Sequence, residues 1–218
     1  MPYGPDTHVP PLSEVKVAAI GPVFPRDKGI KARQSIIMSM KAPDAATLFE
    51  AAMNHMARYA ATEASLVRVL SRRIDRWGQT QPHDPDDESI AHLTRRAKAE
   101  IPGVIARLKE LGVLNDEAFA TSRARRLIRS GSSRRATLAH LAGKGVQNPT
   151  LPDDPEQELA AACIYLRRRR AGPYGDTPRA TILAAMARGG FAHNTACRAL
   201  ELTREEADSQ IATLTSDL

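Results

Sequence analysis

The sequence predicts an all-α protein in which helix pairs recur along the chain. Three observations lead there. Alanine, arginine, leucine and glutamate are abundant and all form helices readily, whereas aromatics are 4% of the 218 residues and runs of alternating Val, Ile and Thr are absent. Apolar residues recur at three- and four-residue spacing behind polar residues suited to helix capping. The stretch Gly112–Val146 reads as two short helices, one crowded with arginine and stopped at Ser130-Gly131, the next stopped at Lys144-Gly145, and the flanking chain carries weaker copies of it.

Residues 1–43 are punctuated by Pro2, Pro5, Pro10, Pro11, Pro22 and Pro25 and carry Lys16, Arg26, Lys28, Lys31, Arg33 and Lys41. This composition predicts a basic, mostly disordered arm with at most a short element at Val15–Ile20. Asp44 is placed to cap a helix over Ala45–Tyr59, whose apolar face is Leu48, Ala52, Met56 and Tyr59. Thr62 opens a second helix with Leu66, Val69, Leu70 and Ile74 as its stripe and Trp77-Gly78 as its end. Gln79–Glu88 is an acidic, proline-containing loop. From Ser89 a long pattern runs through Ile90, Leu93, Ala97, Ile101, Val104, Leu108 and Leu111, and Pro102 predicts a kink or break near Glu100.

Asn115 or Asp116 then caps a helix over Glu117–Arg129, and Ser132 or Ser133 caps one over Arg134–Gly143. Val146–Pro155 is too rich in proline for helix. A helix follows over Glu156–Arg170, then a Gly172–Gly175 turn and a helix opened by Thr177 as cap and Pro178 as first residue. The last elements are a short helix over Asn194–Glu201 and a final one behind the Thr203–Glu206 capping box. Three of the helices align on Thr62, Leu66 and Leu70, on Ser133, Thr137 and Leu141, and on Pro178, Ile182 and Met186. Helix pairs this short cannot bury a face alone, so each unit must lean on a neighbour.

The formal net charge of +6 suits an acidic partner. Cys163 and Cys197 are isolated in helical patterns and the six histidines lack ligand spacing, so neither a disulfide framework nor a metal site is expected. No apolar run nears the ~20 residues of a membrane helix, and the N-terminus lacks a signal-peptide pattern; a cytoplasmic protein without membrane contact is expected. There is no phosphate-cradling glycine loop or nucleophile elbow, and the adjacent carboxylates Asp86/Asp87 and Asp153/Asp154 fall in proline-rich loops, so no catalytic residue and no cofactor are expected.

The candidate binding residues are arginines. Arg123 and Arg126 flank the apolar stripe of their helix, while Arg125 and Arg129 point away from it. Arg134 and Arg135 occupy a first helical turn, where the dipole disfavours cations, so an anionic partner explains them better, or else simple tolerance at an exposed site. Arg167, Arg168, Arg169 and Arg170 span most of a circumference; Arg170 falls in line with Leu159, Cys163 and Leu166, so its stem should lie along apolar surface. Such a surface contacts phosphates of single- or double-stranded DNA without sequence preference, or acidic side chains of a protein.

Three places in the chain resemble the RecX family, regulators of the bacterial recombinase RecA. Leu108, Leu111, Gly112, Leu114, Asn115, Asp116, Phe119 and Ala120 are similar to the opening of that family's second repeat. Arg134-Arg135 through Leu141, Lys144, Gly145 and Val146 are similar to its helix ending in Lys-Gly-Ile, and Arg188, Gly190, Phe191 and Ala196–Leu200 to its Arg-Gly-Phe segment. The likeness covers Asp44 to about Leu202.

The resemblance implies tandem three-helix repeats in an elongated, curved array, divided as 44–114, 115–152 and 153–202 with an extension over 203–218. It implies a non-enzymatic, monomeric protein that binds RecA filaments on single-stranded DNA and mostly inhibits their ATPase, strand-exchange and co-protease activities in recombination, repair and the SOS response. The chain departs from the family in the insertion at Gln79–Glu100, and in the linker at Val146–Pro155, where the second repeat's third helix is shortened or lost. The alternative is a helix-turn-helix-like DNA-binding protein independent of RecA, reading bases from Arg134–Gly143 or Pro178–Ala187.

Overall fold

Helices in this chain begin where a short polar side chain meets the first helical N–H groups, and the computed structural model, which describes residues 41–81 and 88–217, shows these caps one by one. Asp44 Oδ1 accepts from Thr47 N and starts α1 (Ala45–Met56). Thr62 and Ser65 form a reciprocal capping box at α2 (Glu63–Thr80). Helices α3 (Glu88–Ala99) and α4 (Ile101–Glu110) are separated at Glu100, where Pro102 cannot donate into a continuous ladder. Asn115 caps α5 (Asp116–Arg129), Ser133 caps α6 (Arg134–Gly143) and Asp154 caps α7 (Pro155–Arg169). A 3-10 turn (Gly172–Tyr174) leads to α8 (Arg179–Arg188), α9 (His193–Glu201) and α10 (Arg204–Asp217), and the Thr203–Glu206 capping box closes before α10. Among the described residues there is no strand, and the fold is all-α.

Four expectations are corrected. Helix α1 stops at Met56, so Tyr59 leaves the apolar stripe and stands 60% exposed. Helix α2 runs through Gly78 because that glycine admits α3; a Cβ there would lie 3.0 Å from Thr94 Oγ1. Pro178 is the N-cap of α8 rather than its first residue, and no side chain caps that end. Helix α7 stops at Arg169. The basic arm falls at residues 1–40 and most of the acidic loop at 82–87, both outside the described residues; residues 147–154 carry no helix.

Three cores hold the helices. Leu48 and Ala52 of α1, Leu66, Leu70 and Ile74 of α2, Ala97 of α3, and Val104, Ile105 and Leu108 of α4 form one. Helix α7 is the axis of another: Leu159 to Ile164 are all buried, beneath α9, α10 and Ile128 of α5. A helix buried over six consecutive positions is covered on every side, and its alanines let neighbours approach closely. Between them Ala124, Leu141 and Val146 form a small cluster with Phe119, Ala120 and Leu151 against it.

Two polar joints flank that small cluster, and they are alike. The Thr62 hydroxyl at the start of α2 donates to Lys144 O at the end of α6 (2.6 Å), and Glu63 N–H donates to Asp116 Oδ1 of α5 (2.8 Å). The Ser133 hydroxyl at the start of α6 donates to Gly189 O at the end of α8 (2.7 Å), and Arg134 N–H donates to Glu158 Oε2 of α7 (2.8 Å). In each joint a left-handed glycine, Gly145 (φ +88°) or Gly190 (φ +92°), follows the accepting carbonyl, and a Cβ on it would strike Ala64 or Ser133. In each joint a side-chain hydroxyl satisfies a carbonyl left over at one helix end, and a carboxylate satisfies an N–H left over at another helix start. Thr62, Leu66, Leu70, Ser133, Thr137, Leu141, Ile182 and Met186 are all buried, and only Pro178 of the aligned positions is exposed.

Candidate partner-binding surface

Guanidinium groups in this chain gather at helix C-termini, where unsatisfied carbonyls carry partial negative charge. Arg168 Nη1 donates to Ser130 O, the carbonyl ending α5, at 2.6 Å. Arg135 Nη2 donates to Ala187 O near the end of α8 at 2.9 Å. The Arg169 guanidinium lies 4.6 Å from the centre of the Tyr165 ring, and the Tyr165 hydroxyl donates to Ala185 O of α8. The ends of α5, α7 and α8 and the start of α6 therefore meet, and they bring together Arg135, Arg168 and Arg169. Arg129 and Arg188 are the chain neighbours of Ser130 and Ala187, whose carbonyls accept these bonds, and both are exposed. Among the described residues, none of these five has a carboxylate partner, so the surface keeps its positive charge.

The other candidates lie elsewhere or face inward. Arg123 is half-buried and its Nε–H donates to His140 Nε2 at 3.1 Å, tying α5 to α6. Burial lowers the His140 pKa, and the charges of Arg123 and Lys144 push it the same way, so the imidazole stays the acceptor. Arg134 holds the linker: its Nε donates to Pro152 O (3.0 Å) and its Nη2 to Leu151 O (2.9 Å). Arg167 faces Asp208 of α10 at 3.9 Å. Arg126 is exposed on α5. Arg170 stands just beyond the helix, its backbone turned left-handed (φ 51°), and is exposed.

Helix α2 carries a further basic face that the sequence reading passed over. Arg68, Arg72, Arg73 and Arg76 are exposed on its outer side. The signal was available in the i, i+4, i+8 spacing of three of them. A groove of about 890 Å³ runs between α5 and residues 146–152, over Leu114, Ala124, Leu141 and Leu151 with Glu117 and Arg125 at its rim. Glu63, Lys109 and Asp116 also line it, Lys109 paired with Glu63 at 2.9 Å. Among the described residues no three His, Cys, Asp or Glu side chains are placed to hold a metal, and no helix is long and apolar enough to cross a membrane.

The chain is 34% identical over 166 residues to a regulatory protein RecX of Myxococcus xanthus, a match covering 71% of this chain and 84% of that protein. It is 33% identical over 102 residues to a regulatory protein RecX of Agrobacterium fabrum, covering 44% and 55% respectively. No family model and no solved structure matches it.

Proposed function

The chain belongs to the RecX family of regulatory proteins, and from that premise we propose that it binds RecA filaments on single-stranded DNA and restrains their ATP hydrolysis, strand exchange and co-protease activity. It would do so as a monomer in the cytoplasm, in recombination, repair and the SOS response. The identity over most of both chains carries the reading. The uncompensated basic surface of Arg129, Arg135, Arg168, Arg169 and Arg188 supports it, because charge that no carboxylate in the chain neutralises is available to the acidic groups of a filament. We read 44–114, 115–152 and 153–202 as units of a tandem three-helix repeat, the first with an additional helix and the second lacking its third; the two alike joints support that division.

The helix-turn-helix alternative draws little support. Arg134, one of its base-reading candidates on α6, is half-buried and engaged with the carbonyls of Leu151 and Pro152. On α8, Arg179 is paired with Glu201 at 3.1 Å.

Titration of the purified protein into RecA filaments on single-stranded DNA, reading ATP hydrolysis, tests the proposal. The expected outcome is loss of turnover at or below one protein per RecA. Unchanged turnover and strand exchange at saturating protein would refute it.

A further inference from the structure

Helix α2 has one face in the core and one that is nearly all guanidinium. At about 100° and 1.5 Å per residue, Arg68, Arg72 and Arg76 form a row with steps of roughly 6 Å, and Arg73 widens it to an arc of about 140°. The buried Leu66, Leu70 and Ile74 fill the next arc of about 80°, which meets the arginines at Arg73 and faces away from Arg68, Arg72 and Arg76. Like charges at i and i+4 destabilise a helix, and nothing among the described residues relieves them. Arg72 Nε donates to Arg68 O, a backbone carbonyl, and the nearest acid on the helix, Asp75, is taken by Lys98 of α3 at 2.6 Å. That ion pair sets α3 beside the arc.

We propose that this outer face of α2 is a phosphodiester-binding surface for nucleic acid, separate from the surface at the ends of α5, α7 and α8. Its chemistry favours a nucleic-acid backbone over an acidic protein. Protein interfaces anchor on apolar and aromatic side chains at a desolvated centre. The arc offers only half-buried Val69 between its arginines. Nucleic-acid interfaces are the more polar and positively charged kind, and repeated cations along a line suit a strand whose phosphates repeat. A row of cations spaced along a backbone meets phosphates whatever the bases, so the surface binds without sequence preference.

Binding of the full chain to labelled oligo-dT and to a mixed-sequence duplex, each about thirty nucleotides long, followed by anisotropy in rising salt without RecA, tests this. The triple variant Arg68→Ser, Arg72→Ser, Arg76→Ser should lose about tenfold or more in affinity, with the salt slope falling by about 2 on single strands, roughly 0.7 per lost contact. A triple variant Arg58→Ser, Arg179→Ser, Arg198→Ser, which removes the same net charge, should lose less than about threefold, and lysine in place of the three α2 arginines should restore most of the affinity. Comparing the two probes tells strand from duplex as the preferred backbone. Equal losses in the two serine triples would reduce the effect to net charge and overturn the proposal. Unchanged DNA affinity with weakened binding to RecA filaments would assign the arc to an acidic protein surface, and also overturn it. Because RecA is absent from the main measurement, failure here leaves the RecA reading standing.

Discussion

Arg123 and Arg134, in the segment from Asp116 to Val146, are used in the opposite way to the arginines of α2. Around α1, α2 and α4 the core is broad, with eight fully apolar large or medium side chains from Leu48 to Leu108 meeting in one cluster, and the arginines of α2 point into solvent without a carboxylate. Between α5 and α6 the buried set shrinks to Ala124, Leu141 and Val146. There polar bonds take over: Arg123 to His140, Arg134 to the linker carbonyls, and the hydroxyls of Thr62 and Ser133 to the ends of α6 and α8. A thin core gives less hydrophobic stabilisation, roughly 25 cal/mol per Å² of apolar surface buried, so each joint bond is a larger share of what holds that segment. Sequence clustering of arginine therefore says little about its role. What sits at the other end of the guanidinium decides.

The sharpest way to break this contrast is at a joint glycine. Gly145→Ala combines a left-handed backbone with a Cβ driven into Ala64, and should destabilise the protein by about 3 kcal/mol in urea unfolding. Gly103, which has open space around it, should tolerate alanine with no loss. Removal of the joint hydroxyls comes next. Thr62→Ala and Ser133→Ala should each cost about 1–2 kcal/mol and by similar amounts, because each side chain caps one helix and bonds another. A large difference between them would mean that the two joints are not equivalent.

A smaller change of opposite sign is expected within α6. Thr137 occupies the position matched by Leu66 and Ile182, and its buried hydroxyl has no hydrogen-bond partner among the described residues. Thr137→Val should therefore stabilise by about 1 kcal/mol, read as a higher urea midpoint with an unchanged slope. The weakest effect concerns His140. Its folded pKa is depressed, so its contribution is fully present above the unfolded value of 6.5 and is lost as pH falls towards the folded pKa. Between pH 7.5 and 5.5, roughly, His140→Gln should show a shallower loss of stability than the parent protein; identical slopes would show that burial beside Arg123 does not hold the imidazole neutral.

Much of the helical framework was legible in the chain because capping residues and apolar spacing are local signals. Asp44, Thr62, Asn115, Ser133 and the Thr203–Glu206 box act as their positions suggest. The family was legible at Leu108–Ala120, where several characteristic residues stand close together. Helix ends set by packing were not: Gly78 looks like a stop until α3 is seen against it. The arginine roles were hidden for a related reason. The carbonyls that hold Arg134, Arg168 and Arg135 lie 17, 38 and 52 residues away along the chain, and nothing in local sequence marks a backbone oxygen as a partner.

The division of the basic residues into two working surfaces is tested most directly by reading two activities on two variants. One removes charge at the α5 and α8 ends (Arg129→Ser with Arg188→Ser), the other on α2 (Arg68→Ser, Arg72→Ser, Arg76→Ser); RecA ATPase inhibition and oligo-dT binding are titrated for both. The account predicts that the first loses more in inhibition of RecA than in DNA affinity, and that the second loses more in DNA affinity. Parallel losses in both activities for both variants would contradict it.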